Sequence, residues 1–224
     1  MRPLAIDLYC GLGGWTDGLL AEGYDVIGFD IERHEYGDHR YPGLLVIQDV
    51  RTLHGSQFKD AALIVASPPC QAYSYRAMPW KRARALPPPD NTLFEACFRI
   101  QREACEAAGR HIPLIVENVR GAQKWVGRAR WNFGSFYLWG DVPALMPPTL
   151  RATKNNGGSW FNVAHNTTSG KGRNPDGRKQ PGINLSEVGF NCARQHIGVT
   201  RKFASAMIAK IPMPLSRHIG ATFR

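Results

Sequence analysis

One pattern constrains this chain more than any other: short apolar runs that each stop at residues able to do chemistry. Residues 4–9 run into Cys10-Gly11-Leu12-Gly13-Gly14, and residues 25–29 run into Asp30. Residues 61–66 run into Ser67-Pro68-Pro69-Cys70-Gln71, and residues 113–117 end in Glu117-Asn118. Residues 44–47 and 135–139 are two further runs of strand character. Strands of this length, alternating with short helical stretches, predict an α/β fold with a mostly parallel sheet and right-handed crossovers. In an open sheet of that kind the C-terminal strand ends face the ligand crevice. The pattern therefore predicts that a glycine loop, an acid, a thiol and a second acid share one edge.

Helical periodicity fills the gaps. A helix is expected over 15–22 and another over 91–108, where Phe94, Cys97, Phe98, Gln101, Cys105 and Ala108 recur near a 3.6-residue spacing. Thr200 is a predicted N-cap, followed by a stripe of Phe203, Ala206, Met207 and Ile211. The texture differs over 151–196, which is rich in Asn, Gly, Lys and Arg. Within it, 155–158 and 171–180 read as loops. No internal repeat is visible.

Composition narrows the function. The net charge is +10, but residues 1–75 carry −5 and residues 76–224 carry +15. A basic bias confined to part of the chain points to a polyanion such as nucleic acid, with general solubility as the bland reading. The five cysteines are an odd number with no Cys-x-x-Cys pair, which fits neither a disulfide scaffold nor a zinc ribbon. No metal is expected, and a reducing cytoplasm is the default. No apolar run approaches the ~18 residues of a membrane helix. The acid at Asp7 interrupts what would be the apolar stretch of a signal peptide.

Each strand end has a chemical and a structural reading. Gly11 and Gly13 fit a nucleotide-binding turn, but the third glycine of the nicotinamide fingerprint is replaced by Thr16. The loop suits close backbone approach to a ligand at a helix N-terminus, or simply a tight packing turn. Asp30, about twenty residues on, suits ribose hydroxyls; together the two suggest an adenosine-containing cofactor. Two prolines before Cys70 fix its backbone. That thiol is a candidate nucleophile or a chance loop cysteine; Arg76, Lys81, Arg82 and Arg84 downstream could lower its pKa or bind phosphate. Glu117 is a candidate proton or hydrogen-bond donor to a ring nitrogen, or a structural cap.

Three segments then resemble a known family. Asp7-Leu8-Tyr9-Cys10-Gly11-Leu12-Gly13-Gly14, Pro69-Cys70-Gln71 and Glu117-Asn118-Val119 resemble three ordered motifs of the cytosine-C5 DNA methyltransferases. The likeness covers about residues 1–140. It implies a Rossmann-like sheet that binds S-adenosyl-L-methionine (SAM). Tyr9, Gly11, Leu12 and Gly14 would line the methionine end, Asp30 would hold the ribose and Ile31 would pack on adenine. Asp49 and Val50 would read the adenine edge, and Pro69 and Leu93 would complete the wall. Cys10 would be a packing residue. The implied chemistry is addition of Cys70 to cytosine C6 on a flipped base, with Glu117 at N3. Gln71, Ser74 and Arg76 would belong to a loop, 71–89, that closes over DNA.

The sequence departs from the family after Val119. In place of a Gln-x-Arg-x-Arg motif there is only Arg128-Ala129-Arg130; Arg130, and Arg128 beside it, would contact the target base or its DNA. The last motif's counterpart is taken as Gly198-Val199-Thr200, without the family's Gly-Asn pair. The expected organisation is a catalytic domain over 1–140, a reduced basic recognition segment over 141–196, and a C-terminal helix and tail over 197–224. Lys154, Lys171 and Arg173 would hold phosphates, with Arg178 and Lys179 beside them, and Trp160 and Phe161 could stack on a base or anchor the loop. A monomer that acts on DNA, with a short or relaxed site, is expected. The shared chemistry on RNA or a free nucleotide, and a catalytically silent SAM- and DNA-binding module, are the alternatives. A phage or mobile-element setting suits the small size.

Overall fold

The computed structural model describes residues 2–73, 85, 87–146, 203, 206–207 and 209–224. Seven strands form one sheet in the order β3-β2-β1-β4-β5-β7-β6. They are β1 (Leu4–Leu8), β2 (Asp25–Asp30), β3 (Leu44–Ile47), β4 (Leu63–Ala66), β5 (Leu114–Asn118), β6 (Trp131–Phe133) and β7 (Phe136–Gly140). The first five pair in parallel. β7 runs antiparallel to β5, and β6 is its hairpin partner at the edge. β1, β4 and β5 are the middle strands, and burial on both faces matches their near-continuous apolar character.

Two apolar layers sandwich the sheet. One face packs Ile6, Leu8, Ile64, Ala66 and Val116 against Phe94, Cys97, Ile100 and Ala104 of α2 (Thr92–Ala108). The other packs Ala5, Leu63, Val65 and Ile115 against Trp15 and Leu19 of α1 (Gly14–Ala21) and Leu215 and Ile219 of a C-terminal helix (Met213–Thr222). A four-residue helix, α3 (Gln123–Val126), lies between β5 and β6, so the C-terminal helix is α4. Among the described residues no helix is long and apolar enough to cross a membrane.

Three expectations shift. The buried stripe of α2 is Phe94, Cys97, Ile100 and Ala104. Gln101 sits on its flank, where Nε2 donates to the Ile112 carbonyl and to Asp141 Oδ2, both at 2.9 Å. Cys105 is half-buried there, its sulfur accepting the Ile112 N–H at 3.2 Å. The final hairpin has two strands where one was expected. The helix described near the C-terminus is Met213–Thr222. Of the segment expected to be that helix, Phe203, Ala206, Met207 and Ala209 are helical, while Ile211 lies past its end and is buried against α1. Gly198, Val199 and Thr200 lie outside the described residues, as do Trp160 and Phe161.

Candidate cofactor cleft and thiol edge

β1, β2 and β4 end side by side, and the chain must leave each without crossing its neighbour. After β1 the backbone turns at once into the left-handed region: Tyr9 has φ 57°, Gly11 51° and Gly13 73°. Gly13 must be bare for a second reason, since a Cβ there would meet the Pro42 ring and the Tyr41 ring. The turn closes through the Gly13 N–H on the Cys10 carbonyl at 2.7 Å. Cys10 is buried behind it, and desolvation pushes its thiol well above the ordinary range, which suits a packing residue.

Asp30 ends β2 opposite this turn. Its Oδ2 accepts the Gly11 N–H at 2.9 Å, and Oδ1 accepts the Ile31 N–H at 2.8 Å. The His34 imidazole stands 3.6 Å from Oδ1. Burial pushes this carboxyl up, but the bonds from His34 and Gly11 outweigh it and hold the group below the usual carboxylate range. Oδ1 also accepts the Glu32 N–H at 3.3 Å and is fully used, whereas Oδ2 holds one bond and keeps a lone pair for a hydroxyl donor.

The remaining walls converge on the same space. Tyr9 reaches across to α2, its hydroxyl donating to the Leu93 carbonyl at 2.9 Å. Asp49 opens a 3₁₀ turn and accepts the Arg51 N–H at 2.9 Å. Arg51 also grips the Asp49 carboxylate with Nη2 at 2.6 Å and Nε at 3.0 Å, holding it below its ordinary range. The resulting cleft measures about 630 Å³. Tyr9, Gly11, Leu12, Gly14, Asp30, Ile31, Asp49, Val50, Pro69 and Leu93 all line it, so the structure brings the ten predicted cofactor residues together.

Sequence reasoning missed part of the lining. Arg51, Trp15, Ser67, His34 and Tyr36 belong to it, as do Ala206, Ala209, Lys210 and Ile211. Phe203 anchors the late segment, its ring 5.1 Å from that of Tyr36 and 5.0 Å from that of His39.

The thiol edge adjoins the cleft. Cys70 is half-buried in the loop after β4, and its carbonyl accepts the Tyr73 N–H at 3.0 Å. The loop is pinned in three places. Trp15 Nε1 donates to Ser67 Oγ at 3.0 Å, Asn118 Nδ2 to the Pro68 carbonyl at 2.9 Å, and the Tyr73 hydroxyl to Asn91 Oδ1 at 2.9 Å. Glu117 precedes Asn118 on the adjacent strand and is 4% exposed. Gln71 follows Cys70 and borders the cleft.

The predicted DNA residues fare differently. Arg128 and Arg130 are exposed at the entry to β6 and lie away from the cleft's described lining. The Arg130 N–H donates to the Leu138 carbonyl at 2.9 Å, across from Glu117 in the strand register. Ser74, Arg76, Lys154, Lys171 and Arg173 lie outside the described residues. So do Lys81, Arg82, Arg84, Arg178 and Lys179. Among the described residues no group of three or more His, Cys, Asp or Glu side chains is placed to hold a metal ion.

A family model described as C-5 cytosine-specific DNA methylase matches residues 4–126, more than half of the chain. Among solved structures, the chain is similar to a DNA modification methyltransferase encoded within a prophage of E. coli. That match has 25% identity and a TM-score of 0.40, and covers 56% of this chain and 34% of the other. It is also similar to a Dnmt2 methyltransferase of S. pombe at 19% identity and TM-score 0.37, covering 55% and 36%. The Entamoeba histolytica methyltransferase EhMeth gives 17% and 0.37, covering 55% and 40%. The chain thus spans little more than a third of the length of these structures. No curated protein matches it.

Proposed function

The chain belongs to the C-5 cytosine-specific DNA methylase family, and from that premise we propose that it methylates C5 of cytosine in DNA, with SAM as donor. The observation that carries this reading is the union of two features at one sheet edge. One is a cleft lined by a left-handed glycine turn, a ribose-type acid and the Ile31 side chain. The other is the Cys70 loop, tied by Asn118 to the strand that holds Glu117. A volume of about 630 Å³ lies within the ~300–1,000 Å³ of small-molecule sites.

When bound, SAM supplies an electrophilic methyl group. Ile31, 67% exposed on the cleft rim, would cover the adenine face, and Asp30 would accept from a ribose hydroxyl. The target base must leave the duplex, at a cost of a few kcal/mol, roughly. The Cys70 thiolate adds to C6, which turns a weakly nucleophilic aromatic carbon at C5 into an enamine carbon. Glu117 donates to N3 and takes up the charge that develops on the ring. Once C5 had taken the methyl, leaving the cofactor as a neutral thioether, loss of the C5 proton to solvent would expel the Cys70 thiolate and restore the aromatic ring. Burial of Glu117 beside the pinned thiol loop favours such a geometry, because neither group needs to reorganise. We assign Arg130, with Arg128, to the base and its backbone. Gln71, Ser74 and Arg76 are assigned to the DNA-closing loop, and Lys154, Lys171 and Arg173 to phosphates. Residues 1–140 would be the catalytic unit and 141–196 the recognition segment, acting as a monomer.

The test is transfer of a labelled methyl group from SAM to mixed-sequence duplex DNA, with Cys70→Ser in parallel. Digestion to nucleosides should place the label in 5-methylcytosine, and the variant should lose it by a factor of ~10³ or more. DNA and SAM binding without label in the unsubstituted protein would favour the silent module. Label gained only on RNA or a free nucleotide would move the substrate class.

A further inference from the structure

We propose that Lys210 is the counter-charge for the α-carboxylate of the amino-acid end of the cofactor; this rests on the SAM reading above. The cleft has two electrostatically different ends. At the adenosine end stand Asp30, Glu32 and Asp49, and the guanidinium there, Arg51, is already bound in two places to Asp49. Along the glycine turn the lining includes Leu12, Gly14 and Trp15, and contact with Gly14 brings Ile211 and Lys210 to the same place. Lys210 is the fixed positive charge of that end among the described lining residues.

Its position is built rather than incidental. Residues 210–211 cross directly over the first turn of α1. A Cβ on Gly14 would meet the Ile211 N–H and would stand 2.9 Å from Lys210 Cγ. Gly14 is thus bare so that this segment can lie against the helix start. The Lys210 Nζ lies 2.7 Å from Asp17 Oδ2, with the two side chains 30% and 34% exposed. Asp17, in the first turn of α1, holds the ammonium at the cleft's rim without burying it. An ammonium has three donors, so one bond can remain on Asp17 while another meets a carboxylate.

With the adenosine end at Asp30 and Ile31, an extended ligand that crosses the glycine turn delivers its amino-acid head to Gly14 and Lys210. A carboxylate there gains both a charge-assisted bond and the positive end of α1, whose cap residue Gly13 contributes no side-chain acceptor.

The experiment is calorimetric titration of SAM and of decarboxylated SAM into the unsubstituted protein and Lys210→Met. The two ligands differ only in the carboxylate, so the double difference isolates its partner. The unsubstituted protein should prefer SAM by roughly tenfold to a hundredfold, the range of a charge-assisted hydrogen bond. Lys210→Met should remove most of that preference by weakening SAM, while decarboxylated SAM, which has no carboxylate to lose and is relieved of a like charge, should bind no more weakly. Retention of the preference in Lys210→Met overturns the assignment. Equal weakening of both ligands also overturns it, because it marks a purely structural lysine. If the unsubstituted protein binds neither ligand, the SAM reading itself falls and Lys210 falls with it. Binding of both ligands without preference overturns the Lys210 role alone.

Discussion

Tyr9 and Asp7 lie two residues apart on β1 and its exit, and each departs from ordinary residue behaviour. Tyr9 occupies a left-handed conformation that costs on the order of 1–3 kcal/mol for a non-glycine residue. A glycine would remove the strain but also the hydroxyl that ties the turn to Leu93. Asp7 is fully buried. Its Oδ2 accepts from the Thr16 hydroxyl at 2.7 Å, that hydroxyl lies 2.6 Å from the Tyr41 hydroxyl, and Oδ1 has no hydrogen-bond partner among the described residues. Desolvation pushes the carboxyl up to about 7. A raised acid stabilises the fold fully below its unfolded pKa of 3.8, and that contribution is lost as pH rises towards 7. Asp7→Asn, isosteric and unable to ionise, should therefore gain stability relative to the unsubstituted protein as pH rises from 4 to 7. The gain should reach a few kcal/mol, roughly. Urea midpoints at several pH values check this, and parallel curves would refute it.

At the scale of elements, the α1–α4 contact decides whether the cleft keeps its shape. A Cβ on Gly18 would meet Ser216 and come within 2.6 Å of the Arg217 nitrogen. Gly18→Ala should push the two helices apart and destabilise the fold by about 1–3 kcal/mol. A thermal melt should show a loss of several degrees, whereas an unchanged melt would mean that the helices yield freely. The elements also show what sequence could and could not reveal. β3 falls on the expected residues, and β1 and α1 fall within about one residue of theirs, because apolar runs bounded by glycine or proline are local signals. β6 was missed because three residues are too few for alternation to register. The C-terminal helix was expected on the stripe from Phe203 to Ile211, and α4 instead begins beyond it, at Met213. Pro212 is its cap and Pro214 sits in the first turn, where a missing N–H costs nothing. Most of the cleft residues were legible because they follow strand ends and lie in or near segments that resemble the family's motifs; Leu93, in the first turn of α2, was named through the resemblance alone. Lys210 and Arg51 were not legible, because their roles depend on which elements the fold stacks together.

The whole molecule carries its charge unevenly, with +15 on residues 76–224 against −5 on residues 1–75. If the basic part engages DNA phosphates, affinity should fall steeply with salt, with a log–log slope of about −0.9 per neutralised phosphate. A slope of several units in binding titrations between low and physiological salt is expected. A flat response would exclude a polymeric polyanion as the main ligand.

Synthesis order gives the cleft a further consequence. All seven strands lie before Asp141, but one wall of the cleft comes from Ala206, Ala209, Lys210 and Ile211. A nascent chain that has emerged only through β7 would own the thiol, the glycine turn and Asp30, yet its pocket would lack a side. Capture of any ligand that fills the cleft would thus be deferred until the ribosome has released the residues beyond 206, and occupancy would report that translation has passed that point. A chain cut by protease between 146 and 203 would face the same deficit unless its late fragment stayed docked on α1.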